Sequence, residues 1–599
     1  MQNKIQRNVE HKVRIGGASG FWGDSMVGAV QLVESGQIDY LVFDYLAETT
    51  MAIMVGIRAK KPELGYATDF VDVAMKSVLP KVLSQGIKVV ANAGGVNPKG
   101  CAKALRDLAD SLGLTLKIAV IEGDDVSALY ASTREQGTTN MFTGTPLPER
   151  VLSANAYLGA FPIAKALTMG ADVVITGRGV DSAVTLGPLI HEFGWSVNDF
   201  DELAAGSLAG HIIECGCQAT GGLFTDWRDV PDWHNMGYPI VECKANGDFD
   251  VLKPEGTGGL ISCASVAEQM LYEIGNPAGY ELADVVCDFS NVRIEQTSSQ
   301  RVRVSGAKGR APSKQYKVSA TTMNGYRSSG ALVIIGIDAV AKAERTANAV
   351  IDRCHGIFSR LGIAPFTEHS ISLLGAETLY GAHALTSASR EVWLRINVRH
   401  TNKAALEIFA KEIAPAGTSW APGTTGPALA RPAVSPAIEQ LSFLIDKDQV
   451  KARLSIDDSL IGFEDVSPNP STFTVPLQVV PEAWSLDDAE MIEVPLIKVA
   501  WARSGDKGDI SNIGVIARKA EWLPLLWSTL TPDAVGQYFE HLVKGKVERF
   551  YLPGIAAMNI LMHEALDGGG PSSSRMDPLG KGMGQILLSM PIKVPKEWL

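Results

Sequence analysis

One unit, repeated between residues 13 and about 190, constrains this chain more than any other feature: a short apolar run, a polar loop, then an amphipathic stretch. Val13–Ile15 runs into Gly16-Gly17-Ala18-Ser19-Gly20-Phe21-Trp22-Gly23-Asp24, and Asp39–Phe43 into Asp44-Tyr45-Leu46-Ala47-Glu48. Ile87–Ala91 ends in Asn92-Ala93-Gly94-Gly95-Val96-Asn97, Leu116–Ile121 in Glu122-Gly123-Asp124-Asp125, and Val173–Thr176 in Gly177-Arg178-Gly179-Val180-Asp181-Ser182. Strand-length runs alternating with helical stretches such as Phe70–Leu83 and Lys99–Leu112 predict βαβ units, hence an α/β fold with a mainly parallel sheet.

A chain of 599 residues exceeds what one hydrophobic core serves. A second βα set is expected in Ala331–Ile337, Asp338–Leu361 and Glu391–Val398, and Gly417–Pro427 reads as a long structured loop. The predicted organisation is an α/β body over 13–460, with lobes at 13–200 and 201–460, a Pro-rich acidic linker over 461–494, and a small α+β unit over 495–599. That last unit reads β-β-α-β-α-β: strands at Leu496–Trp501, Asn512–Ala517, Val547–Leu552 and Gln585–Pro591, with helices around Pro532–Val543 and Ala556–Leu566.

A formal charge of −12 repels phosphate backbones, so no nucleic-acid partner is expected. The basic run Arg301–Lys317 has Ser, Gly and Ala between its charges and no aromatic platform until Tyr316, and reads as a solvated strand pair or loop. No stretch approaches the roughly 20 apolar residues of a membrane helix. The opening Met1–Lys12 is polar and charged, so no signal peptide is expected. Seven cysteines without repeating spacing fit reduced thiols in a cytoplasm, and Cys215 and Cys217 lack the further ligands a zinc site needs.

In parallel sheets, loops at the carboxyl ends of the strands converge, and helix N-termini there supply donors. Asp24, Asp44, Glu48, Asp124 and Asp181 fall at such ends, with Asn92, Asn97 and Arg178 beside them. Gathered carboxylates can act as acid and base, can bind magnesium, or can simply cap helices. The spacing of Gly17, Gly20 and Gly23, with Ser19, leaves backbone N–H groups free for an anion or serves tight packing. Arg178, between two glycines, is the candidate anion ligand, or else a salt-bridge partner for a nearby Asp. A dinucleotide fingerprint, a Walker loop and a G-x-S-x-G elbow are all lacking from the sequence. In the C-terminal unit Arg503, Asp506, Lys507 and Asp509 alternate in charge, either pairing internally or closing over a ligand.

Arg14–Ser25, Asp44–Glu48 and Thr176–Ser182 resemble the AtuA-like family of acyclic terpene utilisation proteins. The segment from Ala502 to Asp509 with Asn512 is similar to that family's C-terminal ferredoxin-like domain. The resemblance implies a role in degrading citronellol- or geraniol-type terpenes, a pathway of coenzyme A thioesters. The resulting expectation is an enzyme acting on a branched acid or acyl-CoA, with Asp24, Asp44, Glu48 and Asp181 as acid–base groups. Gly17, Ser19, Gly20, Asn92, Asn97, Arg178, Arg503, Asp506 and Lys507 would bind substrate. No cofactor beyond the substrate's own CoA is expected, and self-association is allowed. The competing expectation is a non-catalytic subunit that binds an acyl-CoA enzyme.

Overall fold

The computed structural model describes residues 11–386, 388–427, 431–463 and 490–599, with isolated positions at 468, 480, 481 and 484. Its largest sheet is built around β1 (Lys12–Gly17), β2 (Tyr40–Phe43), β3 (Lys88–Ala91), β4 (Ile118–Glu122) and β6 (Val173–Thr176), with β5 (Ser153–Ala156) in another sheet. The five run parallel in the order β1-β2-β3-β6-β4. Residues of β2 and β6 are buried throughout, because helices cover both faces, which is why these strands read as unbroken apolar runs.

The expectation of a mainly parallel sheet fails at the flanks. Beyond β1 the sheet continues through β7 (Ile240–Lys244), β8 (Phe249–Leu252), Arg301–Ser305 and Arg293–Ser298, all antiparallel to their neighbours. Beyond β4 it adds Arg453–Ile456 and Ser459–Ile461, again antiparallel. The turn at Asn246-Gly247, with Gly247 at φ +88°, is the local signal for the β7–β8 hairpin. Apolar runs carry no strand direction; connection chemistry does.

The expected strand–helix–strand set is present, built on a second sheet whose strands run antiparallel. Its spine is one strand of 21 residues, Gln315–Ile335, which begins well before Ala331. Its first half pairs antiparallel with β5 and Val434–Asp446, and its second half with Glu391–His400. Helices Ala339–Leu361 and Lys403–Glu412 cover one face through Phe358, Phe409 and Leu406. Gly417–Pro427 is not one loop: Ala416–Ser419 is a helical turn and Thr424–Pro427 pairs with the spine.

The linker expected over 461–494 lies mostly outside the described residues; its described end, Met491–Pro495, is a strand paired with Pro591–Pro595. The C-terminal sheet is antiparallel throughout, ordered Ala500–Lys507, Ile510–Ala517, Ala557–Met562, Val547–Leu552. Three element assignments change here. Leu496–Lys498 is a 3₁₀ turn ahead of the first strand, Ala557–Met562 is a strand rather than a helix, and Met583–Leu588 is a helix rather than a strand. Met, Leu and Ala favour helix weakly, and burial of all six residues in a sheet overrides that preference.

This unit is fastened to the body. Asn512 Nδ2 donates to the Leu271 carbonyl at 2.7 Å, and Asn559 Nδ2 to those of Ile274 and Gly275, both at 2.7 Å. Gly514 permits the contact: a Cβ there would stand 2.4 Å from Leu271 Cβ. Gly514→Ala is expected to lower the melting temperature, at an overpacking cost of about 1–3 kcal/mol; an unchanged melting curve would show that the two units give way at this seam. No helix among the described residues is long and apolar enough to cross a membrane.

Candidate functional site

The carboxyl ends of β2, β3, β4 and β6 deliver Asp44, Asn92, Asp124 and Arg178 to one side of the sheet. Asp124 organises the last loop: its carboxylate accepts the Arg178 backbone N–H at 2.9 Å and Asn155 Nδ2 at 2.8 Å. Burial pushes Asp124 up to about 6, with those two donors opposing the shift. Gly177 is required beside it, because a Cβ would meet Asp124 Oδ1 at 2.4 Å.

The Arg178 side chain, 2% exposed, is enclosed rather than offered to an anion. It donates to the Leu46 carbonyl at 2.8 Å, the Tyr157 hydroxyl at 2.9 Å and the Asp181 carboxylate, and its Cζ lies 4.2 Å over the Tyr157 ring. Tyr157 in turn donates to Glu48 Oε1 at 2.5 Å, and Lys317 Nζ stands 3.9 Å from that oxygen. Burial raises the Glu48 carboxyl, but Lys317, Arg178 and the Tyr157 hydroxyl outweigh it and hold the group at about 2. Asp44 goes the other way. Burial, then Asp181 and Glu214, push it well above the carboxylate range against Arg178 and an Asn92 amide donating at 2.5 Å.

This cluster backs a cavity of about 270 Å³ closed jointly by the three sheets. One part of its wall is apolar, with Phe142, Ile274, Phe289, Leu444, Ile510 and Leu561. Another is polar: Tyr157, Asp181, His211, Glu214, Lys317 and Lys507. Lys507 comes from the first strand of the C-terminal unit and stands 3.8 Å from Glu273 Oε2. Burial disfavours its ammonium, but Tyr280, Glu273, Asp181 and Glu48 reverse the effect and raise it. At Lys317 burial wins, helped by the charges of Lys507 and Arg178, and the ammonium is lowered. Glu214, raised chiefly by burial, follows the end of the buried helix Phe200–Ile213 and lies 2.9 Å from His211 Nδ1.

The expected single cleft is therefore regrouped. Asp44, Glu48, Asn92 and Arg178 form the layer behind the wall, and Asp181 and Lys507 face the cavity. Asp24 is not among the lining residues: it accepts the N–H groups of Gly20 at 2.9 Å and Ser25 at 2.6 Å, and the Tyr238 hydroxyl at 3.1 Å. Gly17 and Gly20 serve packing, since a Cβ would come 2.6 Å from the Ile213 carbonyl oxygen or 2.9 Å from the Cys215 backbone. Ser19 donates to the Asp44 carbonyl at 3.2 Å. Asn97 caps the helix Pro98–Ser111 through Gly100 N at 3.1 Å.

Arg503 is spent on the seam, donating to the carbonyls of Gly222 at 3.2 Å and Leu223 at 2.9 Å. Asp509 accepts the Leu566 N–H at 2.9 Å. Asp506 does not line the cavity, although burial and then Glu273 and Glu48 raise its carboxyl. Among the described residues no group of three or more His, Cys, Asp or Glu is placed to hold a metal ion. Gly17→Ala should cost about 1–3 kcal/mol of stability from overpacking against the Ile213 carbonyl. A stable variant, read by thermal melting, would reopen an open, ligand-holding loop.

Tyr157, His211, Glu214 and Lys317 escaped the sequence reading. A signal existed for two of them: His211 and Glu214 are ionisable groups three apart at the end of a helix that is buried from Leu203 to Ile213. The Arg301–Lys317 run splits by face. Arg301 and Arg303 pair with Asp250 at 2.8 Å each, while Lys317 points into the cavity.

Fold and site together define a two-part protein: an α/β body carrying a buried acid–base cluster, closed by an antiparallel unit that contributes a lysine. Residues 13–456 match the acyclic terpene utilisation family protein AtuA, and residues 494–593 match the AtuA ferredoxin-like domain. The chain belongs to the AtuA family, whose description ties it to acyclic terpene utilisation. No curated protein and no solved structure matches it.

Proposed function

We propose that the chain is a cytoplasmic enzyme of citronellol- or geraniol-type terpene breakdown that moves protons on a branched carboxylic acid or its CoA thioester. The observation that carries the reading is the meeting of Lys317, Lys507, Glu214 and Asp181 at the polar wall of an apolar cavity. Ammonium and carboxyl groups gathered at the wall of one enclosed cavity suit proton-transfer chemistry.

In this reading the apolar wall takes the branched chain and Lys507, held charged by its carboxylates, faces the carboxylate or thioester oxygen. Lys317 has a disfavoured ammonium and gives up a proton more readily than an exposed lysine. Asp181, Glu214 and Glu281 are the carboxyl groups that line the cavity. Glu48, ionised and held by Tyr157, keeps Lys317 in place. Lyase, hydratase and hydrolase chemistry all use such transfers. The cavity lies just below the roughly 300–1,000 Å³ of sites for drug-sized molecules, which suits an acyl chain and leaves a CoA moiety outside.

A thermal-shift series on the full chain tests this, with citronellic- and geranic-type acids, their CoA thioesters and straight-chain counterparts. A ligand present at 100 times its Kd stabilises by about 2.7 kcal/mol. Branched compounds are expected to raise the melting temperature more than straight ones. If none does, the binding of such acyl groups is wrong and the docking-subunit alternative takes its place.

A further inference from the structure

A second cavity, of about 610 Å³, lies between the second sheet and the C-terminal loop that runs from Gly570 to Leu579. Arg327, Arg395, Arg399 and Arg575 all line it. Register explains the concentration. Arg327 and Arg399 are directly opposed on neighbouring antiparallel strands, and Arg395 lies on the same strand as Arg399, four residues away. Like charges placed opposite each other destabilise a sheet. Glu368 at 3.7 Å and Glu439 at 3.3 Å both pair with Arg399. Neither Arg327 nor Arg395 has a carboxylate partner among the described residues, and each is lowered by burial and then by a neighbouring guanidinium.

One more observation bears on a bound anion in this cavity. Thr49 also lines it, in the first turn of helix Glu48–Arg58, whose N-terminus has no side-chain cap and leaves backbone N–H groups to be satisfied. The bland reading is that the arginines only hold the loop. Arg327 does donate to the Pro571 carbonyl at 2.9 Å and Asn397 to that of Ser574 at 2.7 Å. Carbonyls need donors, however, not unneutralised charge, and the partner of Arg395 Nη1 is the thioether of Met576 at 2.9 Å, a weak acceptor.

We propose that this cavity is a binding site for a phosphate ester, held by Arg327 and Arg395 beside the open turn at Thr49. Guanidinium forks match phosphate oxygens in pairs, and the volume suits a nucleotide-sized anion. The site does not depend on what occupies the apolar cavity. Phosphates of a CoA or nucleotide and free phosphate share the required chemistry, so the test separates them.

Isothermal titration of the full chain at low salt would use CoA, adenosine 3′,5′-bisphosphate and inorganic phosphate, against wild type, Arg327→Ala and Arg395→Ala. The two esters are expected to bind wild type more tightly than inorganic phosphate, and to weaken tenfold or more in each variant, with a shallower salt dependence. Ligand-free melting curves check that the variants fold. If Arg395→Ala does not fold, Arg395→Lys replaces it and should weaken binding less, since an ammonium keeps the charge but loses the fork. Absence of ester binding to wild type, or equal binding by the variants, would overturn the site. Inorganic phosphate binding as tightly as the esters would overturn the ester assignment.

Discussion

Replacing Arg178 with alanine is expected to lower the unfolding free energy by about 3–5 kcal/mol, the cost of removing one partner from a buried charge cluster. Asp181 and Glu48 would lose the cation between them, and the Leu46 carbonyl and Tyr157 hydroxyl would each lose a donor. The pH dependence carries a sharper signature. Glu48 sits at about 2 in the folded protein against an ordinary 4.5, so its contribution is full above 4.5 and is lost as pH falls through 2. At about 1.4 kcal/mol per unit this amounts to roughly 3 kcal/mol. Arg178 is one source of that depression, second to Lys317 among the charges, so the variant should show a flatter stability profile between those limits. Denaturant unfolding at several pH values reads both effects. A variant as stable as wild type, with the same acid limb, would mean the guanidinium is not the keystone of this layer.

Lys507→Ala should separate binding from folding. Its ammonium faces the cavity from a strand that the antiparallel pairing holds independently of the side chain. A hydrogen bond to a charged group contributes about 1.5–3 kcal/mol, so affinity for a branched acid should fall roughly 10- to 150-fold. The ligand-free melting temperature should move less than in Arg178→Ala. Calorimetric titration with the best acid from the thermal-shift series measures the loss. An unchanged affinity would place the carboxylate elsewhere in the cavity and leave Lys317 to receive it.

These two residues show where sequence reasoning reached and where it stopped. Arg178 was visible because a charged residue between glycines, directly after a buried strand, has few reasons to be there. Its role was not visible: whether an arginine meets a ligand or a carboxylate depends on what the other loops bring, and Leu46 and Glu48 come from one loop while Tyr157 comes from another, more than 100 positions away. Lys507 was legible only as part of an alternating-charge stretch. Of that stretch Arg503 staples the two units, Asp509 holds a turn and Lys507 reaches the cavity. Arg503 and Lys507, four positions apart, share the body-facing side of one strand, and only the docked sheet says what each of them meets there.

The chain's own pattern settled the parallel centre of the large sheet. Buried strands must be apolar along their whole length, and each must end in a turn, so Asp44, Asn92, Asp124 and Arg178 could be placed at one edge from periodicity and turn chemistry. Strand direction at the sheet's flanks, the strand at Ala557–Met562 and the cavity between three sheets were decided by long-range pairing, which no short window contains. Lys317 and Lys507 lie 190 positions apart, and His211 and Glu214 belong to a third segment. Their ionisation follows from mutual distance and exclusion of water, and those exist only once the C-terminal unit has closed on the body.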